Sequence, residues 1–307
     1  MKTRRSLLRD SAAVAAGALL SPLAPRQASA IEPIVRAGQP KLRLSLAAYS
    51  FREFFKDNRT AKPYTGDKAI DMFDFVDYCA DHGCEGTELT SYFFPTDADD
   101  AYFLKLRHHA FLRGMPVSGT AVGNNFALPE GDARSKQIAE LKAWIDKAAV
   151  LGAPHIRVFA GDAGKYDPAE ARKLCVAALE ECCEYAGTKG IFLGLENHGG
   201  IVALPEGLLE IVKAVKSPWF GVNLDTGNFH TADPYADLAR CAPYAVNVQV
   251  KIEISRPGQK PEPTDMKRIA TILREANYQG WVALEFEAAK PWEIVPDSLA
   301  KLAEAIG

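Results

Sequence analysis

The sequence predicts a protein of the α/β class folded as a single (β/α)8 TIM barrel, and three observations carry that prediction. Eight short apolar runs with strand character alternate with stretches of helical periodicity along the 307 residues. A reference residue near the end of each run (Tyr49, Glu88, Thr120, Arg157, Glu196, Asp225, Gln249, Glu285) recurs at intervals of 39, 32, 37, 39, 29, 24 and 36 residues. Each interval accommodates one strand, one loop and one helix, the unit of a parallel sheet with crossover connections. No composition shift or linker interrupts the series, so residues 31–307 form one barrel.

The runs are, in order, "LRLSLAAY" (42–49), "GTEL" (86–89), "MPVSGTAV" (115–122), "HIRVFAG" (155–161), "IFLGLE" (191–196), "FGVNLD" (220–225), "AVNVQVK" (245–251) and "WVALEFE" (281–287). Three helices between them have legible ends. "DPAEARKLCVAALEECCEYAGTKG" opens on Asp167 as cap and Pro168 in the first turn, and closes near Gly187 or Gly190. "DARSKQIAELKAWIDKAAVLGAP" spaces Ile138, Leu141, Ile145, Ala148 and Ala149 on one face and stops at Gly152 and Pro154. "TDMKRIATILREANYQG" repeats the pattern between Thr264 and Gly280. The competing architecture, an open doubly wound sheet, needs a glycine-rich phosphate turn after its first strand, and "LSLAAYSFREFF" holds none.

Residues 1–30 read as an export signal rather than as part of the barrel. Arg4 and Arg5 precede Leu7 and Leu8, a modest apolar stretch follows, and Ala28-Ser29-Ala30 supplies a small-x-small cleavage site. Paired arginines of this kind resemble the twin-arginine type, and a periplasmic or otherwise exported location is expected. The stretch is too short and too weakly apolar for a spanning helix, so no membrane association is expected once it is removed. It holds five of the 36 basic and one of the 39 acidic side chains, which leaves 31 and 38 and a formal net charge of −7. With no basic run longer than two residues, a nucleic-acid partner is excluded as an expectation. The six cysteines form no zinc-type pairs and are expected as reduced, buried thiols.

In a barrel, side chains at the C-terminal strand ends converge on one mouth. The last four strands place Glu196, Asp225, Gln249 and Glu285 there. Three carboxylates crowded together need a cation to stay ionised. With the Gln249 amide they offer hard oxygen donors, which suit one divalent ion, Mn²⁺ first and Mg²⁺ or Co²⁺ next.

The motifs "GLENHGG", "NLDTGNFH", "VNVQVKIE" and "VALEFE" together resemble the xylose-isomerase-like barrel superfamily of sugar isomerases and epimerases. "AAYSF", "EGTELTSYFF" and "HIRVFAG" also fit, so the resemblance spans essentially the whole mature chain. It implies a metal held by Glu196, Asp225, Gln249 and Glu285, with Gln249 standing where the family most often has histidine. It also implies that Glu196 and Glu285 act as the acid/base pair. A carboxylate removes the proton beside a polarised carbonyl, and its return to the opposite face or the neighbouring carbon gives epimerisation or isomerisation. A second departure is at "LDTGNFH". Related epimerases often carry histidine three residues after the aspartate, where this chain has Asn228, with His230 two further on.

Around these residues the readings stay open. His198 contacts a substrate hydroxyl or orients Glu196. Arg157 meets a substrate oxygen or pairs with Glu88 or Glu196. Glu88 faces the site or pairs structurally, and Lys251, on the same side of its strand as Gln249, stabilises an oxyanion or pairs with a mouth carboxylate. Tyr49 lines the sugar site or packs. His155 falls at the bottom of the barrel. Long connections at residues 50–68, 121–135 and 252–264 follow strands one, three and seven and would cover the mouth. The partner expected is a small carbohydrate, with a homo-oligomer possible. The activity read from these features is a metal-dependent sugar isomerase or epimerase. A 3-keto-glycoside lyase, which would expel the aglycone after the same proton abstraction, is the alternative. A non-catalytic sugar-binding barrel is the reading from another class.

Overall fold

The computed structural model describes residues 32–307, and the export signal expected over residues 1–30 lies outside the described residues. Eight parallel strands close into a barrel: β1 (Lys41–Ala47), β2 (Gly86–Thr90), β3 (Val117–Ala121), β4 (His155–Val158), β5 (Phe192–Glu196), β6 (Phe220–Asp225), β7 (Ala245–Val250) and β10 (Gln279–Leu284). Each neighbours the next, and β1 pairs with β10 to seal the ring. The short antiparallel strands β8 (Glu253–Ile254) and β9 (Glu262–Pro263) form a ribbon within the long connection after β7.

Eight helices surround the ring: α1 (Met72–Asp81), α2 (Asp100–Leu112), α3 (Asp132–Leu151), α4 (Pro168–Thr188), α5 (Pro205–Ala214), α6 (Pro234–Cys241), α7 (Met266–Glu275) and α8 (Pro291–Ile306). Their starts follow from local chemistry. Asp71 caps α1, and Asp74 answers with a bond to the cap's own N–H, so two orphan donors are satisfied reciprocally. Asp167 caps α4 with Pro168 in its first turn, as the sequence predicts. Asp233 and Asp265 do the same work for α6 and α7.

The predicted strands are all present, with ends displaced by a few residues. β1 stops at Ala47, and Tyr49 belongs to a 3-10 turn beyond it. β4 stops at Val158 rather than running to Gly161. Both extended predictions followed apolar residues into loops that fold back over the mouth and bury side chains there. All six cysteines are buried thiols, as expected.

His155 enters the barrel from β4 and is 3% exposed, with Nδ1 against the Ser118 carbonyl at 3.0 Å. Gly119 makes this possible: a Cβ there would stand 1.9 Å from the imidazole ring. Among the described residues no helix is long and apolar enough to cross a membrane.

Candidate active site

Side chains alternate along each strand, so β7 sends Asn247 and Gln249 inward, and Lys251, one residue past its end, follows above them. These three mark two levels of polar residues inside the ring.

The lower level is closed on itself. Glu88 of β2 is fully buried and accepts from Asn247 Nδ2 at 2.8 Å and from Gln249 Nε2 at 2.6 Å. Asn223 Nδ2 donates to Gln249 Oε1 at 2.7 Å, and Asn247 Nδ2 also reaches Asn223 Oδ1 at 2.8 Å. Burial pushes the Glu88 carboxyl up to about 7, although the two amide donors favour its ionised form. Glu88 therefore does not face the mouth. Gln249, read from the sequence as a metal ligand, has both ends of its amide committed to this level.

The upper level opens to solvent through a cavity of about 260 Å³. Tyr49, Arg157, Glu196, His198, Lys251 and Glu285 line it, together with Thr60, Tyr92, Phe159 and Glu287. Glu196 ends β5. Its Oε2 lies 2.9 Å from Arg157 Nε, and its Oε1 accepts from Asn228 Nδ2 at 2.9 Å. Arg157 is itself fixed by a bond from Nη1 to the Val122 carbonyl (2.8 Å), with its guanidinium 4.0 Å from the Phe159 ring centroid. Burial pushes the Glu196 carboxyl up to about 7 against the opposing pull of Arg157.

On the other side stands Lys251. Its ammonium lies 2.5 Å from Glu285 Oε2, 3.0 Å from Glu287 Oε2 and 3.3 Å from Asp225 Oδ2. Burial alone would lower its pKa, but Asp225 and Glu285 hold it well above the ordinary lysine range. For Glu285 burial acts upward, and the attraction of Lys251 outweighs it, leaving the carboxyl below its usual value. Asp225 is the opposite case, raised well above its usual value by burial despite Lys251. Its backbone is clamped to the preceding strand by Asn197, which accepts from the Asp225 N–H (2.8 Å) and donates to the Asp225 carbonyl (2.9 Å).

A divalent ion can be tested against this arrangement. Four carboxylates at the upper level (Glu196, Asp225, Glu285, Glu287) face two cations, and Asp225 Oδ2 is buried without a hydrogen-bond donor. Hard oxygens in excess of positive charge are the chemistry of a magnesium or manganese site, so Glu196, Asp225 and Glu285 fit as donors. Gln249, the fourth expected donor, is bonded to Glu88 and Asn223 instead. Among the described residues no three acidic, histidine or cysteine side chains stand in a ready-made shell. The Lys251 ammonium is within reach of both Asp225 and Glu285, two of the expected donors.

The remaining predicted positions separate cleanly. Asn228, not His230, reaches Glu196, and His230 is exposed and lines no part of the cavity. His198 lines the cavity with its ring 4.5 Å from that of Phe159, and burial lowers its pKa. Its contact with Glu196 is through the backbone, N–H to carbonyl at 2.9 Å, so it does not orient the carboxylate. Tyr49 is half-buried at the rim, where burial raises its phenol pKa. Sequence reasoning missed Tyr92, Thr60, Phe159 and Glu287. Glu287 alone carried a signal, two residues beyond Glu285 and so on the same side of an extended chain.

Comparisons with known proteins bear on the fold and family. No curated protein sequence matches the chain. Among solved structures, the D-psicose 3-epimerase of Clostridium cellulolyticum H10 superposes with a TM-score of 0.70 at 15% identity, over 86% of this chain and 99% of that one. The 3-keto-D-glucoside 4-epimerase of E. coli gives a TM-score of 0.65 at 15% identity, over 86% and 100%. A zinc-bound IolI protein gives 0.65 at 16%, over 86% and 96%. At such identities these establish a shared fold. The family model for xylose isomerase-like TIM barrels matches residues 76–305, most of the chain, and the protein belongs to that family.

Proposed function

We propose that the protein is a sugar isomerase or epimerase that removes and returns a proton on the carbon next to a carbonyl. One observation carries this reading: Glu196 and Glu285 line the same small cavity, each backed by its own buried cation, Arg157 and Lys251. Two such carboxylates can serve as base and acid on a bound sugar. The solved structures named above include epimerases of a ketose and of a keto-glucoside, which supports a substrate of that class.

The chain's own groups account for the proton movements. One carboxylate takes the proton as the C–H bond breaks, the pair left on carbon forms a double bond to the carbonyl carbon, and the carbonyl π pair moves onto oxygen. Arg157 and Lys251 are the donors placed to hold the resulting oxyanion, in a site where burial strengthens them. The second carboxylate returns a proton, and the face or carbon that receives it decides between epimer and isomer. Asn228 holds Glu196 in place throughout. The cofactor of this reading is one divalent ion, Mn²⁺ ahead of Mg²⁺ or Co²⁺, which Glu196, Asp225 and Glu285 would hold. When bound, it would supply Lewis-acid polarisation of the substrate carbonyl. We place the enzyme outside the cytoplasm, on the export signal read over residues 1–30.

The test is incubation with a panel of ketoses and keto-glycosides in D₂O, read by mass spectrometry. Deuterium gained at constant carbon skeleton supports the isomerase or epimerase. A substrate split into sugar and aglycone assigns the lyase instead. A folded protein that exchanges no proton on any of them overturns both.

A further inference from the structure

Beyond Tyr92 lies a second cavity of about 310 Å³, bounded by the turn after β2, the loop after β3 and one face of α3. Tyr92 lines both cavities. The partition is thin elsewhere as well. Arg157 lines the first space and is bonded to the carbonyl of Val122, which lines the second. Thr60 faces the first cavity and its chain neighbour Arg59 the second. Gly123 leaves Tyr92 its room, since a Cβ there would stand 3.0 Å from the phenol oxygen. Tyr92, the Arg157–Val122 contact and the Arg59–Thr60 backbone together stand between the two spaces.

The second cavity is lined with both signs of charge over an apolar floor. Arg59, Glu140 and Lys147 supply donors and acceptors, and Leu141 and Trp144 form the floor. Arg59 spends one nitrogen on the Pro95 carbonyl (3.0 Å), and Lys147 makes no ion pair among the described residues, its ammonium lying 5.8 Å from the Trp144 ring. Mixed donors and acceptors beside an apolar surface suit a polyhydroxylated ring better than an anion or a hydrocarbon. The first cavity, at about 260 Å³, falls short of the ~300 Å³ where ligand pockets usually begin, and the pair together exceed it.

We infer that the substrate is a glycoside occupying both cavities. The reacting ring sits beside Glu196 and Glu285, and a second sugar ring, or an equally polar aglycone, sits behind Tyr92 against α3. This rests on the sugar-enzyme reading above and narrows it from free monosaccharides to glycosides.

Calorimetric titration of the mature protein with lactose, maltose and trehalose, each beside methyl galactoside or methyl glucoside, tests it. At least one disaccharide should bind about tenfold more tightly than its methyl glycoside, a difference of about 1.4 kcal/mol. Ala143→Trp, which fills the second cavity from an exposed position on α3, should abolish that preference and leave methyl glycoside binding unchanged. The double variant Glu140→Ala/Lys147→Ala should do the same without added bulk. Equal affinity for both sugar sizes, or a preference that survives both variants, overturns the two-cavity substrate and leaves the sugar-enzyme reading standing. Failure of every methyl glycoside and every disaccharide to bind overturns the two-cavity substrate, whereas the proton-exchange reading stands or falls on the ketose and keto-glycoside panel above.

Discussion

The two polar levels inside the barrel meet the cost of burial in different ways. The lower one, Glu88 with Asn223, Asn247 and Gln249, matches a lone carboxylate with neutral amides and has no opening to solvent. The upper one sets four carboxylates against Arg157 and Lys251 and opens into a cavity. A network of hydrogen-bonded amides rigidifies a core, here with one acceptor, Asn247 Oδ1, left without a donor. A network with uncompensated charge is where chemistry is done, because its members gain from a ligand that completes them. Gln249 and Lys251 are two residues apart at the end of β7, yet they fall on opposite sides of this divide.

The largest effect that tests the division is on turnover. Glu196→Gln and Glu285→Gln keep the shape of each side chain and remove its proton chemistry. Each should lower the rate of proton exchange by about 10³-fold, the scale of a lost general acid or base, with little change in melting temperature. Exchange within tenfold of wild type in both variants would remove the acid/base pair from the proposal. Lys251→Met should cost less, about 10²-fold in exchange rate, as expected for one lost donor to an oxyanion. It should also take up Mn²⁺ at lower concentration than wild type, because the ammonium no longer competes for Asp225 and Glu285.

Metal content sharpens the comparison further. Purified without chelators, the wild type should carry a divalent ion by mass spectrometry, and Asp225→Asn should lose it. Gln249→Ala should keep it and instead unfold more easily, by about 3 kcal/mol, since Glu88 and Asn223 would lose a buried partner. The reverse pattern, metal lost with stability intact, would return Gln249 to the mouth as the resemblance implied.

Much of this was legible before any coordinates. Strand count, helix caps and the convergence of Glu196, Asp225 and Glu285 follow from period, spacing and the geometry of a barrel. What sequence could not supply is direction within the ring. Gln249 points inward on either reading, and only the presence of Glu88 across the barrel, 161 residues earlier, decides which groups its amide meets. Asn228 and His230 share one loop, and the path of that loop decides which of them reaches Glu196. Tyr92 and Phe159 were hidden for the same reason: their approach depends on loop closure, which leaves no periodic trace.

The smallest effect concerns the bottom of the barrel and needs no substrate. Burial holds the His155 imidazole down at about 4, from an ordinary 6.5, and the Ser118 carbonyl only partly offsets it. Between these values the unfolded chain binds a proton that the folded chain does not, so stability rises with pH across that window and is lost as pH falls. Integrated from pH 7 to pH 5, this one group should contribute a loss of about 2 kcal/mol. Carboxylates titrate in the same range, so the measurement is a difference: urea unfolding of wild type and His155→Gln at both pH values. The variant starts lower, because Gly119 and Ser118 are shaped to the imidazole. Its decline from pH 7 to 5 should nevertheless be shallower than that of wild type by the same amount. Parallel declines would mean that His155 accepts its proton within the fold, and that the floor of the barrel, like its mouth, can carry charge.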